Sequence, residues 1–382
     1  MSTTQFFAEH WERSALHIRS QNRDRFAALM STSQLDTMLT TLHPKHPEVS
    51  LIDASLRRET SQYAYESGLI DLLALFRFFD EGSTILWSSF ELRHAALALL
   101  CRKLERELGH RTQTNVYFTP ANSQGFRAHY DNHDVLVLQI SGRKKWLLYD
   151  TPLHLPYPDE LFDPETIKPG AISAEFVMEP GDVLYVPRGL MHDARAVDEE
   201  SLHATVGIMA RSWADAFEEV LSLAASRDPA FREALPPGFH RDGFDSREAS
   251  AKYTTLLGAL PNLVGFDELR EVMADEILDA RQAIVAGQRQ QLRLARAIDE
   301  ASTFAARVEP MLRVGTSESE VLVHVHGRTV GMPRHAESAL RFALENHGYT
   351  LASLPGSLDL EGRKVLLRRL IREGLVTVLE GG

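Results

Sequence analysis

The stretch Glu179–His192 reads EPGDVLYVPRGLMH: a Pro180-Gly181 turn, the apolar run Val183–Val186, a sharp Pro187-Arg188-Gly189 turn, then a histidine. A short apolar run between two such breakers reads as a buried strand. The same punctuation recurs on both sides. Asn115–Thr119, Val135–Ile140, Lys144–Tyr149, Ala174–Met178 and Leu202–Ile208 read as further strands, with turn signals at Ser141-Gly142 and Pro169-Gly170. Many short strands between Thr114 and about Met209 point to a sandwich or small barrel of the double-sheet jelly-roll kind.

Outside this region the periodicity changes. Upstream, Phe26–Leu42 and Glu91–Leu108 carry apolar residues at helical spacing, and Gly109 follows as a C-cap. Downstream, Trp213–Ser226 and Phe266–Ala306 read as amphipathic helices, of the kind that pair with a second subunit or pack on the barrel. Residues 328–382 read as a small module: helix Ala336–Asn346, the turn Ser353-Leu354-Pro355-Gly356, helix Glu361–Glu373, Gly374, and strand Leu375–Leu379. Helix, turn, helix, strand is a winged-helix-like order. The expectation is an α+β chain in three parts: residues 1–210 with the barrel, 211–310 helical, and 311–382 winged-helix-like. No fixed-period repeat is found.

Composition sets the broad class. The 382 residues are 44% hydrophobic and 25% charged, as in ordinary globular proteins. The lone Cys101 excludes an intrachain disulfide and sits in an apolar helical run, so it reads as a small core residue. The N-terminus has no basic segment followed by an apolar one, and the apolar runs are too short to span a bilayer. A cytoplasmic protein is expected. The net charge of -12 argues against general affinity for nucleic acid and favours a basic partner, if any. Arg363, Lys364, Arg368, Arg369 and Arg372 make the last helix basic, which reads as a solvated face.

The chemistry lies in two pieces of the barrel region. In Phe126-Arg-Ala-His129-Tyr130-Asp131, a strand would put His129 and Asp131 on one face. His192 ends the Glu179–His192 stretch, where a third ligand is needed. Two histidines and one carboxylate, with three coordination positions left open, form the facial triad of non-haem Fe(II) oxygenases. His133, two residues past Asp131, reads as structural. In Lys144–Tyr149 the alternation places Lys144, Trp146 and Leu148 on one face. A buried ammonium is costly unless paired, and no acidic residue lies nearby in that hairpin. Two readings stand: an anionic ligand such as the distal carboxylate of 2-oxoglutarate pairs Lys144, or the side chain snorkels out at the strand end. Asn115, Tyr117 and Thr119 share one strand face, and His203 and Thr205 another. They line a ligand pocket or a solvated sheet.

In combination, Thr114–Pro120, Ser123–Trp146, Glu179–His192 and Ser201–Gly207 closely resemble JmjC-type cupin oxygenases of the ribosomal oxygenase group. The helical segment and the C-terminal module are similar to that group's dimerisation and winged-helix regions. The resemblance implies a double-stranded β-helix that binds Fe(II) through His129, Asp131 and His192. It implies that Lys144, assisted by Tyr117, pairs with the 2-oxoglutarate distal carboxylate, with Asn115 and His203 facing cosubstrate and metal. It further implies a homodimer that uses dioxygen to hydroxylate a His or Arg side chain of a ribosomal protein or another basic protein. Lys144 stands where some bacterial members have arginine, so in that respect the sequence looks more like the eukaryotic histidyl hydroxylases. The rival readings are a hydroxylase of a free amino acid, peptide or small metabolite, a cupin with another metal, and a metal- or ligand-sensing winged-helix regulator.

Overall fold

A computed structural model describes residues 1–150, 153–280 and 282–379. They fall into two compact units, Met1–Ala210 and Arg211–Gly382.

The first unit begins with α1 (Thr3–Glu9), β1 (Leu16–Ile18), α2 (Thr32–Thr41), β2 (Val49–Ile52), α3 (Leu72–Asp80), β3 (Thr84–Trp87) and α4 (Ala95–Leu108). The barrel strands follow: β4 (Arg111–Thr119), β5 (Asp134–Tyr149), β6 (Ile172–Met178), β7 (Val183–Val186) and β8 (His192–Met209). The strand order is β1-β7-β5-β8-β4-β3-β2, with β6 on β5, and every pairing is antiparallel. Gly109 caps α4 in the left-handed conformation, as expected.

Ser141-Gly142 is not a turn. Val135–Ile140 and Lys144–Tyr149 belong to one 16-residue strand, β5, paired along its length with the 18-residue β8. The register shifts at Gln139/Ser141 and Ser141/Arg143. There the strand bends from one layer of the roll to the other, as bulges allow. Gly142 has φ +64, and a Cβ on it would stand 1.9 Å from the Glu200 carbonyl oxygen. The glycine is a requirement of the bend, which is why it imitates a turn in sequence.

Alternation gives the roll two faces. Val116 and Ala204 point outward into a core built with Leu35 and Leu39 of α2, Leu75 and Phe78 of α3, and Leu97 of α4. Cys101 is buried in a smaller cluster with Leu138 and Val206, its Sγ 3.1 Å from Thr114 Oγ1. Inward, Val135, Val137, Trp146, Met178, Leu184 and Val186 form a separate cluster. Asp134 is fully buried at the start of β5; it accepts from Tyr185 Oη at 2.6 Å and Arg188 Nη1 at 2.8 Å.

The second unit holds α5 (Trp213–Arg227), α6 (Arg247–Leu263) and α7 (Phe266–Asp279), packed through Ala216, Val220, Ala224, Val264 and Leu269. The helix expected over Phe266–Ala306 stops at Asp279. Gly287, left-handed at φ +71, opens the short α8 (Gln288–Leu294). Thr303–Ala306 is a strand, β9, paired through its backbone between two later strands. A three-stranded meander that the sequence reading missed follows: β10 (Leu312–Thr316), β11 (Glu320–Val325) and β12 (Arg328–Pro333). Then come α9 (Glu337–Glu345), β13 (His347–Thr350), α10 (Leu360–Arg372) and β14 (Val376–Leu379). The sheet order β13-β9-β14 draws its central strand from residues before 311, the expected start of the last part.

Removing the Asp134 carboxylate leaves Arg188 with Glu12 as its one anionic partner among the described residues. Asp134→Ala is expected to lower unfolding stability by about 3 kcal/mol, as loss of one member of a buried pair does. Urea unfolding followed by circular dichroism measures it; a loss below about 1 kcal/mol, the worth of a surface pair, would show that the pair does not anchor β5.

Candidate metal centre

His129 and Asp131 lie in an irregular segment ahead of β5, not in the regular strand expected for them. A single antiparallel bridge sets their position. The His129 N–H donates to the His192 carbonyl at 3.0 Å, and the His192 N–H donates to the His129 carbonyl at 2.8 Å. Residues that exchange both bonds stand directly opposite each other. The two rings accordingly lie side by side, centroids 4.7 Å apart. Two residues on, the Asp131 carbonyl accepts from the Gly189 N–H at 2.9 Å, which fixes that backbone to the turn before His192. His192 opens β8; it does not end β7 as the sequence suggested.

The side chains then converge. Asp131 Oδ1 is 4.0 Å from His129 Nε2, and Asp131 Oδ2 is 3.7 Å from His192 Nε2. One donor atom from each residue lies within 4.8 Å of the others, within reach of one shared ion. The outer nitrogens are already used. His129 Nδ1 sits 2.8 Å from the Arg127 carbonyl oxygen, and His192 Nδ1 sits 3.0 Å from the Leu190 carbonyl oxygen. A carbonyl can only accept, so Nδ1 carries the proton and Nε2 keeps its lone pair toward the cluster. Burial, and next the neighbouring His129, hold the His192 imidazole well below its ordinary pKa, in the neutral form that ligates metals. No hydrogen-bond donor contacts the Asp131 carboxylate among the described residues. This donor set fits a divalent transition-metal ion bound on one side, with the other side open. His133 lies outside the cluster.

The cluster lies on a cavity also lined by Tyr117, Phe126, Lys144, Trp146, His203 and Thr205. Lys144 is 3% exposed and does not snorkel out. Its Nζ donates to Thr119 Oγ1 at 3.0 Å and to His203 Nδ1 at 3.3 Å, and among the described residues no carboxylate pairs with it. Burial pulls its pKa down to about 7. Burial, with the adjacent ammonium, also keeps His203 neutral. The His203 ring stacks on Tyr117, centroids 4.8 Å apart with planes 1° apart. Burial, then the negative charge of Asp131, push the Tyr117 hydroxyl pKa up, so it remains a donor. Asn115 is not on the cavity wall. Its Oδ1 accepts from the Ser89 N–H at 3.1 Å. Ile52 and Thr84 complete the lining from β2 and β3, where no sequence motif marked them.

A jelly roll that gathers two imidazoles, a carboxylate and a buried ammonium around one cavity has the build of a metal-binding cupin. Residues 86–216 match the JmjC domain family, and the barrel is a JmjC-type cupin domain. Over 302 residues the chain is 30% identical to human ribosomal oxygenase 1, covering 73% of this chain and 46% of that one. Over 247 residues it is 31% identical to the Aedes aegypti bifunctional lysine-specific demethylase and histidyl-hydroxylase NO66, covering 62% of this chain and 38% of that one. The chain thus spans less than half the length of these curated relatives. Among solved structures it is similar to Escherichia coli ycfD, with TM-score 0.60 at 18% identity over 99% of this chain and 98% of that one. The YcfD ribosomal oxygenase in complex with cobalt and 2-oxoglutarate gives TM-score 0.57 at 16% identity, covering 100% and 99%. These likenesses bear out the resemblance to ribosomal oxygenases drawn from the sequence. Among the described residues no helix is long and apolar enough to cross a membrane.

Lys144 generates a pH dependence. The protonated ammonium is the form that pairs with an anion, and its depressed pKa means that form is depleted above pH 7. Binding of a dianion therefore takes up a proton there. The affinity for 2-oxoglutarate is expected to be flat below pH 7 and to fall about tenfold per pH unit above it, by linkage. Calorimetric titrations across pH 6 to 9 read this directly; a pH-independent affinity would show that Lys144 does not hold the anion.

Proposed function

We propose that this chain is an Fe(II)- and 2-oxoglutarate-dependent protein hydroxylase that acts on a His or Arg side chain of a ribosomal protein. The observation that carries the reading is the placement of an unpaired buried ammonium, Lys144, in the same cavity as the His129–Asp131–His192 cluster. A metal site alone suits many cupins. A metal site with an anion receptor beside it suits a cosubstrate that is ligated at one end and charged at the other.

The residues divide the work. His129, Asp131 and His192 would hold Fe(II) and leave three positions open. When bound, the iron supplies dioxygen activation and C–H oxidation; 2-oxoglutarate and dioxygen are consumed, succinate and carbon dioxide leave, and one oxygen atom enters the substrate. Lys144 neutralises the distal carboxylate, Thr119 and neutral His203 orient the ammonium, and Tyr117 offers its hydroxyl beside it. Val135, Val137, Trp146, Val186 and Ala194 make the rest of the wall apolar and exclude water. Exposed Phe126, 5.2 Å from the His129 ring, and Phe162, 6.5 Å from it, flank the open side, where the substrate would enter.

The substrate class rests on the relatives: their names include ribosomal oxygenase and histidyl-hydroxylase, and a YcfD structure contains 2-oxoglutarate. We place the protein in the cytoplasm, with dioxygen as co-reactant. We also assign residues 211–310 to dimerisation and 311–382 to a winged-helix role. Trp213, Phe217 and Leu221 support the first: at four-residue spacing along α5 they remain 67%, 61% and 46% exposed. The helix-strand order of α9, β13, α10 and β14 supports the second. The DNA-binding regulator reading is disfavoured at the basic helix. Arg363 is bound to the carbonyls of Leu358, Leu351 and Ala352, Arg368 to that of Ala295, Lys364 pairs with Glu361, and Arg369 with Glu373.

His129→Ala and Asp131→Ala are each expected to lower 2-oxoglutarate turnover at least 100-fold, read as succinate release with iron and ascorbate; full turnover in either variant rejects the site. Incubation with iron, 2-oxoglutarate and purified ribosomes is expected to add 16 Da to one ribosomal protein, read by mass spectrometry. Turnover without any such shift, stimulated instead by a free amino acid or peptide, would select the small-substrate reading.

A further inference from the structure

The metal cavity continues past its own rim. Ile52, Gly125 and Phe126 line both the cavity and a neighbouring groove, which runs on between residues 52–58 and residues 125–127. Farther along, the groove passes Asn122, Ser123 and Arg195. Its walls are pinned to each other. The Ala54 N–H donates to the Gln124 carbonyl at 3.0 Å, and Gln124 and Arg195 form a single antiparallel bridge. The groove is also tied to the metal centre, because the Arg127 carbonyl is the group 2.8 Å from His129 Nδ1.

Four arginines and two carboxylates line this groove. The carboxylates are already engaged. Asp53 accepts from the Ser55 N–H at 2.9 Å and the Leu56 N–H at 3.2 Å, and Glu81 pairs with Arg58 at 3.1 Å. Arg57 pairs with Glu59 at 3.5 Å. Arg127 and Arg195 differ from these. Both are exposed, and each uses its Nε on a backbone carbonyl, Arg127 on that of Ala54 and Arg195 on that of Asn122. Among the described residues neither side chain makes another hydrogen bond or an ion pair. A guanidinium carries five N–H donors, so most stay free on each, and the Nε bond fixes where the fork points. Two oriented forks on one groove, with no carboxylate bound to either, make a receptor for a carboxylate, which guanidinium groups take two bonds at a time. The net charge of -12 disfavours a polyanion such as RNA, so a single carboxylate on a polypeptide is the fitting occupant.

We propose that Arg127 and Arg195 bind an Asp or Glu side chain of the protein substrate, close in sequence to the residue that is hydroxylated. This recognition rests on the hydroxylase reading and adds a sequence requirement to it. At extended spacing Arg127 lies about 7 Å along the chain from His129, and a substrate chain covers about 3.3 Å per residue. An acidic residue within about four positions of the modified side chain is therefore in reach.

The probe is the total protein of ribosomes freed of RNA, incubated with the full chain, iron, 2-oxoglutarate and ascorbate. The site that gains 16 Da is mapped by mass spectrometry and is expected to have Asp or Glu within about four residues. The marked protein is then prepared with that residue changed to Asn or Gln. The change is expected to raise its KM about tenfold at unchanged kcat, as loss of hydrogen bonds to a charged group in uniform binding does. Arg195→Ala is expected to raise the KM of the unchanged substrate by a similar factor, and the substrate change then adds little in that variant, since both remove one contact. The substrate change needs no variant of this chain, so it decides even where Arg195→Ala does not fold. A modified site with no acidic residue in reach, or a substrate change that leaves the KM as it was, overturns the inference and leaves the hydroxylase reading standing. Turnover of 2-oxoglutarate that marks no ribosomal protein overturns both.

Discussion

The antiparallel bridge between His129 and His192 is the constraint on which the centre depends. Two backbone hydrogen bonds, of 3.0 and 2.8 Å, bring together residues far apart in the chain and place their rings side by side. Bonds that use only backbone atoms hold this geometry, which would preorganise the two imidazoles for a shared metal ion. Gly189 makes the arrangement continuous. Its N–H holds the Asp131 carbonyl, and its φ of +83 lets the chain reverse just before His192; a Cβ there would come within 2.4 Å of the Leu153 carbonyl oxygen. The Asp134–Arg188 pair ties the same two segments through side chains, just outside the cluster. Three kinds of contact thus converge on one loop–turn junction.

The ammonium of Lys144 imposes the opposite economy. A well-packed core would bury a neutral residue there, and burial with only a hydroxyl and a neutral imidazole for partners drives its pKa down to about 7. Such a local conflict with stability is expected where function requires it. The bend at Gly142 makes it possible. Before the bend, β5 sends Val135 and Val137 into the cavity; after it, Lys144 and Trp146 point there instead. The odd-to-even change of inward residues is the register shift itself, so one bulge both turns the strand and aims the lysine.

Much of this was legible in the sequence because it is local. The breakers around Val183–Val186 bounded that strand to the residue, and alternation over Lys144–Tyr149 put Lys144 on the buried face. The three candidate ligands, His129, Asp131 and His192, were readable as residue types, and the fold brings one donor atom of each within 4.8 Å of the others. What the sequence concealed is long-range. A glycine required by close approach to Glu200 looks like a turn glycine, so β5 and β8 were each read too short. His129 and Asp131 were assigned to a strand, because a single bridge and a regular ladder share the same i, i+2 geometry. Asn115 shares its strand face with Tyr117, yet only Tyr117 reaches the cavity, and nothing in alternation separates them.

The second unit shows the same limit from the other side. Thr303–Ala306 continues an apolar spacing that helices also use, and it becomes a strand because β13 and β14 offer it two edges. Short apolar runs are ambiguous between helix and strand, and tertiary pairing decides. Phe304 is then fully buried among Leu340, Leu367 and Leu370, in the largest apolar cluster of that unit. The basic face of α10 is decided in the same way. Its arginines read as free charges in a sequence, but Arg363 and Arg368 donate to the backbone carbonyls of Leu351 and Ala295. Guanidinium groups fixed in that manner cap chain ends and cross-link segments, and they have fewer donors left for a phosphate. Four cations of that helix are thus engaged within the fold, whereas the barrel buries the Lys144 ammonium against a hydroxyl and a neutral imidazole.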